Sequence, residues 1–557
     1  MRSLLLLAAA LAGPVAGPGP GPGPAPLARF RSLEYRGSDP GAPAPGAREY
    51  RNPVLAGFYP DPSIVRVGAD FYLVNSSFAF FPGLPIFHSR DLVHWRQIGN
   101  AIDRPGQLDF KQVPTSFGLF APSISHHDGR FRIVNTCVEC GGNYIVSASS
   151  PAGPWSQPVF LPALSDAIDP SLAWDERGQA YVVYNGPPPG GSTYPGHRAI
   201  WLRPVDPETG RTGMATLLVN AGTNPRRKPQ WIEGPHLFAK DGWWYLVAAE
   251  GGTAEGHSEV VFRSRSIAGP YTPGPNNPIL TQRDLPPARP LPVTSTGHAD
   301  LVALADGRWF AVFLGTRPYR GDFYDTGRET FLMPVRWKDG WPVITGPGQP
   351  VPLVAPAPLP RQRSAAPPQS GPIRWATRFG ERRLGPEWLM LRTPRERWYS
   401  LGNAGLTLRP RTAGLGSFAN PSFLGRRLQN RRADLVTELR FEPSADGEMA
   451  GLAAFQNDEF WYALAIGRAA GQRQIELRRR NGKASPVDGV LLASVAAPPG
   501  AVRLRITLDS DRADFAWASA GGRWRPLLAG ADATLLSTAR AGGFVGTILG
   551  PFAQRRP

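Results

Sequence analysis

Cysteine is nearly absent from this chain: 557 residues carry two. That excludes a disulfide scaffold and a four-cysteine zinc site. Lysine is also scarce, with five among 61 basic residues, so the net charge of +17 is carried by arginine. Thirty basic against sixteen acidic residues lie from Arg361 onward, which puts +14 of the excess there. The arginines are scattered and match no zinc-finger, helix-turn-helix or RNA-binding pattern, so no nucleic-acid partner is expected. A long apolar run is missing too. The longest candidate, Leu4–Ala12, is too short to span a bilayer, which takes about 20 residues. No membrane association is therefore expected once that segment is removed.

The composition is otherwise that of a folded protein, 42% hydrophobic and 10% aromatic. Gly 63 and Pro 62 punctuate it heavily, which favours short strands and turns over long helices. Arg2, the apolar run and a small-residue exit read as a secretory signal over residues 1–17. Residues 18–48 read as a Pro/Gly-rich spacer. The expected location is periplasmic or secreted. In that setting Cys137 and Cys140 either pair or remain two inert thiols.

Five related segments occupy the first 350 residues. Asp61-Pro62-Ser63-Ile64, Ala121-Pro122-Ser123-Ile124, Asp169-Pro170-Ser171-Leu172, Glu233-Gly234-Pro235-His236 and His298-Ala299-Asp300-Leu301 each lead into a turn and an aromatic strand. Asp-Gly, a strong hairpin signal, stands in several of those turns. Repeats of about four short strands point to a five-bladed β-propeller over 49–350. Residues 351–371, rich in Pro, Ala and Ser, read as a linker. Residues 372–557 alternate in strand period and read as a β-sandwich.

In a propeller the innermost strand of each blade lines the central channel, so the repeat starts converge on one mouth. Asp61, Asp169 and Glu233 then share a confined site, where mutual repulsion raises at least one pKa. Paired carboxylates of that kind suit glycosidic bond cleavage, one acid protonating the leaving oxygen and one carboxylate activating water or attacking carbon. Phe78, Phe80, Phe81, Phe120 and Trp231 offer flat apolar faces nearby.

The segments NPVLAGFYPDPSIVRVGADFYLVNSSF, AIDPSLAWD, WIEGPHLF, STGHADLV and GRETFLMPVRW together resemble glycoside hydrolase family 43, in its β-xylosidase and α-L-arabinofuranosidase branch. NPSFLGRR and GLAAFQNDEFWYALAI resemble the concanavalin A-like C-terminal domain of that branch. The resemblance implies an all-β chain, with a five-bladed propeller followed by the sandwich, and an inverting exo-acting hydrolase. It assigns Asp61 as the base, Glu233 as the acid and Asp169 as the carboxylate that orients the acid. Arg328, Phe78, Phe120 and His298 become substrate-binding positions. Phe120 stands where the family usually has tryptophan. No cofactor is required by this reading, although His298 matches a position that faces calcium or water in several relatives. The implied substrates are xylo-oligosaccharides or arabinosylated oligosaccharides. A dedicated α-L-arabinofuranosidase and a non-catalytic sugar-binding propeller are the alternatives, and a homo-oligomer is compatible with the sequence. The GGFVG segment around Phe544 is the candidate for a loop lent by the sandwich to the pocket rim.

Overall fold

The computed structural model describes residues 26–362 and 367–556. The signal segment and the start of the spacer lie outside the described residues. Five antiparallel sheets of four or five strands form a propeller. Its inner strands are Ser63–Val67, Ser123–His127, Ile168–Trp174, Glu233–Lys240 and Thr294–Ala303. Each neighbours the next, and the fifth returns to the first. The turns Asp128-Gly129 and Asp241-Gly242 have both residues at positive φ, which matches the twist of a two-residue hairpin.

Polar side chains close the ring. Asp300 of blade five accepts hydrogen bonds from Ser63 Oγ (2.8 Å) and Ile64 N (2.9 Å) of blade one. Ser63 Oγ in turn accepts from Ile124 N of blade two. Asp300 thus latches the first and last blades. Before blade one, Asn52 exchanges hydrogen bonds with the backbone of Leu332 in blade five.

The sandwich pairs an eight-stranded sheet with a seven-stranded one. One strand of the larger sheet corrects the sequence reading. Ala28–Ser38, inside the stretch 18–48 expected to be a spacer, is an interior strand that pairs with Arg432–Arg440 and Gly405–Leu408. Its alternation was legible: Ala28, Phe30, Leu33 and Tyr35 face the sandwich core, while Arg29, Arg31 and Arg36 face water. The flanking Pro/Gly runs masked it. The expected linker also holds a strand, Val354–Pro356, paired with Glu49–Arg51. Trp388, Trp398 and Trp461 are buried in the sandwich.

The seven-stranded sheet packs on the propeller. Phe58, Phe78 and Phe80 share one apolar cluster with Phe423, Phe455, Trp461, Ile548 and Phe552. Polar ties cross the same seam. Arg392 holds Asp458 in a fully buried ion pair at 2.8 Å. Thr115 Oγ1 of the propeller donates to that same carboxylate, and Arg392 Nε donates to Val113 O. Arg317 bridges Glu329 to Asp39, which also accepts from Arg431 N. Cys137 and Cys140 form a disulfide at the end of the strand Arg130–Val138, so the pairing alternative holds.

Candidate active site

Asp169 and Glu233 reach the channel where the strands carrying them are locally broken, while Asp61 stands just before its strand. Pairing register shifts between Ile168 and Ser171, between Glu233 and His236, and twice between Thr294 and Asp300. Such bulges re-aim side chains at a sheet's end. Backbone strain gathers at the same place. Asp61, Phe78, Asp169, Trp231 and His298 all have φ between +50° and +55°. Each costs on the order of 1–3 kcal/mol for a non-glycine residue. Gly234, at φ +58°, has a different constraint: a Cβ there would lie 2.7 Å from the His298 ring.

Asp61 is buried. Its Oδ2 accepts from Ser76 Oγ at 2.5 Å, and its Oδ1 lies 3.4 Å from Arg328 Nη1. Burial alone would raise its pKa, but Arg328, His298 and the Ser76 hydrogen bond outweigh it and hold the carboxyl below its ordinary value. Glu233 is shifted the other way. Desolvation first, then the charges of Asp169 and Asp61, push it up to about 8, against the opposing pull of His298 and Arg328. Solvent still reaches its side of the mouth, for Glu233 is only partly covered. One carboxyl is thereby held ionised and a neighbouring one held protonated near neutral pH.

Asp169 lies 3.5 Å from His298 Nε2. Burial disfavours a charged His298, yet the Asp169 hydrogen bond and the surrounding carboxylates raise it to about 9. His298 Nδ1 is buried without a partner. Calcium prefers oxygen donors, and the described residues contain no group of three His, Cys, Asp or Glu side chains able to hold a metal. The donors therefore do not fit direct coordination of calcium; the orphaned Nδ1 suits a water.

Arg328 is buried, donates to Thr253 Oγ1 at 2.8 Å and lies 5.2 Å from the Phe544 ring centroid. Phe544 comes from the sandwich. Its ring stacks on Phe78 at 5.9 Å and meets Phe120 edge-on at 5.9 Å. Its loop is fixed at three points. Phe544 N donates to Ser116 Oγ, Thr547 N donates to Asp325 O, and Gly546 presses on the Thr326–Gly327 backbone. A Cβ on Gly546 would sit 2.6 Å from Thr326 O, so the approach needs glycine.

Phe78 departs from the expected role. It is 1% exposed, covered by Phe58, Phe120 and Phe544, and backs the wall instead of presenting a face. The partly open rings are Phe120 and Phe544. Sequence reasoning missed Ser76, Thr253, His257 and Glu259. His257, buried and donating from Nδ1 to Ser295 O, is held neutral by desolvation, its pKa down to about 3. Glu259 Oε2 accepts from Ala299 N, and burial raises its pKa to about 8. None of the four stands at a repeat start, where the sequence search was directed.

One carboxyl held ionised, a neighbouring one held protonated and an aromatic wall on a propeller mouth suit a glycoside hydrolase. Comparison with known proteins gives the family. The family model Glycosyl hydrolases family 43 matches residues 50–342, and Beta xylosidase C-terminal Concanavalin A-like domain matches 376–556. The chain belongs to glycosyl hydrolases family 43. It is 37% identical to a xylosidase/arabinosidase of Butyrivibrio fibrisolvens, over 90% of this chain and 95% of that protein. It is 34% identical to a non-reducing end alpha-L-arabinofuranosidase of Bacteroides ovatus, over 91% and 92%. Among solved structures, a GH43_12 protein retrieved from capybara gut metagenome superposes with a TM-score of 0.88 at 35% identity, covering 95% of this chain and 100% of that one. Xylan beta-1,4-xylosidase from Bacillus halodurans gives 0.82 at 32% identity, covering 91% and 97%.

Proposed function

We propose that this glycoside hydrolase is an exported, inverting exo-enzyme that removes terminal xylose from the non-reducing end of β-1,4-xylo-oligosaccharides, with α-L-arabinofuranosidase activity at the same site. The observation that carries the reading is the opposed tuning of Asp61 and Glu233 beside a wall closed by Phe544. A closed wall favours one terminal sugar over a chain running through. Glu233 gives its proton to the glycosidic oxygen as that bond breaks. Asp61 takes a proton from the water that attacks the anomeric carbon from the opposite face. The charge of Asp169 helps keep Glu233 protonated, against the opposing pull of His298. Arg328 keeps Asp61 ionised and meets sugar hydroxyls. After product leaves, Glu233 regains a proton from solvent and Asp61 loses one.

A dedicated α-L-arabinofuranosidase is the second reading, favoured by the Bacteroides ovatus relative. Export is supported by the signal-like start and by the Cys137–Cys140 disulfide, a pairing at home in oxidising compartments. The test is hydrolysis of xylobiose and 4-nitrophenyl α-L-arabinofuranoside side by side, with the anomer of fresh product followed by NMR. α-Xylose appearing first supports the proposal. Cleavage of the arabinoside alone moves it to the second reading, and retained β-xylose overturns the mechanism.

A further inference from the structure

Trp231 is a large aromatic side chain that no part of the chemistry above uses. It is 42% exposed, more open than the partly covered Phe120 and Phe544. It stands two residues before Glu233, at φ +53°. Three contacts hold it in that conformation. Its N–H donates to Gly196 O at 2.8 Å, its indole Nε1 edge lies over Gly196, and its Cδ1 edge lies over Gly252. A Cβ on Gly196 would come within 3.1 Å of the indole nitrogen. Two glycines from different loops therefore form a floor for the ring, with Gly251 N donating to Gln230 O beside it. An apolar ring kept in water by a strained backbone and a glycine floor has no packing reason to be there.

Its position supplies one. A general acid protonates the oxygen between the two sugars, so the departing sugar must lie on the acid's side of the site. Arg328 reaches Asp61 and lies over Phe544, whose ring packs on Phe78 and Phe120, so this aromatic wall is tied to the base's side through Arg328. Trp231 is the exposed ring next to Glu233. The residue after its glycine floor, Thr253, accepts from Arg328, so platform and pocket share one short loop.

We propose that Trp231 is the stacking platform for the leaving-group sugar, a pyranose with a flat apolar face such as the xylose following the scissile bond. The inference rests on the glycosidase reading and assigns a specificity residue to it. The indole binds the sugar ring and takes no part in proton transfer.

The experiment compares two leaving groups on wild type and Trp231→Ala. Xylobiose fills the leaving-group position with a sugar; β-D-xylosyl fluoride leaves it without one. The expected result is a roughly tenfold lower kcat/KM on xylobiose, mainly through KM, with the fluoride unchanged. Trp231→Phe should recover most of the loss. Where wild type takes only arabinosides, arabinofuranosyl-xylobiose and α-L-arabinofuranosyl fluoride make the same pair. Equal loss on both members of a pair, or loss on neither, overturns the platform while leaving the glycosidase reading standing. A wild type inert on both pairs overturns the two together.

Discussion

The two sheets of the sandwich have the same architecture and opposite surroundings. In the larger sheet, Arg432–Arg440 and Val502–Asp509 alternate buried and accessible residues along their length. In the smaller sheet, Met449–Asn457 is buried at eight consecutive positions and Ile548–Gln554 throughout. A sheet with one wet face alternates; a sheet covered on both faces reads as a continuous apolar run. The second cover is the propeller. The difference teaches that the sandwich is no appended module. One of its sheets is a layer of the propeller domain's own core, and the loop leading into Ile548–Gln554 carries Phe544 to the propeller mouth, against Phe78, Phe120 and Arg328. A cleft of about 500 Å³ between the domains, lined by Tyr59, Trp375, Trp388 and Arg426, contains none of Asp61, Asp169 and Glu233.

Four tests probe that contrast. The largest effect belongs to the propeller mouth, where the sandwich contributes no charge. Asp61→Ala and Glu233→Ala should each lower kcat by about 10²–10⁴-fold, with the melting temperature unchanged or raised as strain or repulsion is relieved. Thermal melting beside steady-state rates checks this; a collapse of the fold would break the separation of chemistry from stability.

The seam comes next. Arg392→Ala leaves Asp458 buried without its partner and should cost about 3–5 kcal/mol in denaturant unfolding. The comparable outer-sheet change, Arg505→Ala, should stay within about 0.5 kcal/mol. Equal losses would mean that the two sheets are energetically alike.

Phe544→Ala tests the wall itself. KM for xylobiose should rise about tenfold while the melting temperature moves little, since the ring is partly open. A change in kcat alone would place the ring outside the sugar pocket.

The smallest effects are in pH. Activity needs Asp61 ionised and Glu233 protonated. It should hold from below the ordinary carboxylate range up to about pH 8 and fall as Glu233 ionises. Stability has its own alkaline limb from Glu259, whose pKa is raised on folding to about 8. The folded state then binds the extra proton, so this contribution is present in full below the unfolded value and is lost as pH rises toward 8. Glu259→Gln should flatten that slope in melting curves from pH 5 to 9, and an unchanged slope would remove Glu259 as its source.

The repeats, the carboxylates and the sandwich strands were legible in the sequence because each is local. Asp-Gly turns, strand alternation and equivalent repeat starts depend only on neighbours along the chain. Ala28–Ser38 carried its alternation in the same way and was hidden only by the proline-rich context before and after it. Partners distant in sequence were not legible. Ser76 on Asp61, Thr253 on Arg328 and Asp300 latching Ser63 follow from ring closure, which no local pattern encodes.

The sequence by itself determined that the chain is a β-propeller joined to a sandwich and that three carboxylates meet at one mouth. Tertiary structure supplied the physical means by which one carboxyl keeps its proton and another loses it. Identical groups at equivalent strand starts acquire opposite pKa shifts through burial and through charges brought close from other blades. It also decided that Phe78 is covered, that Trp231 is open and that Phe544 lies against Phe78 and Phe120, because exposure depends on what packs against a ring and not on the ring's neighbours in the chain.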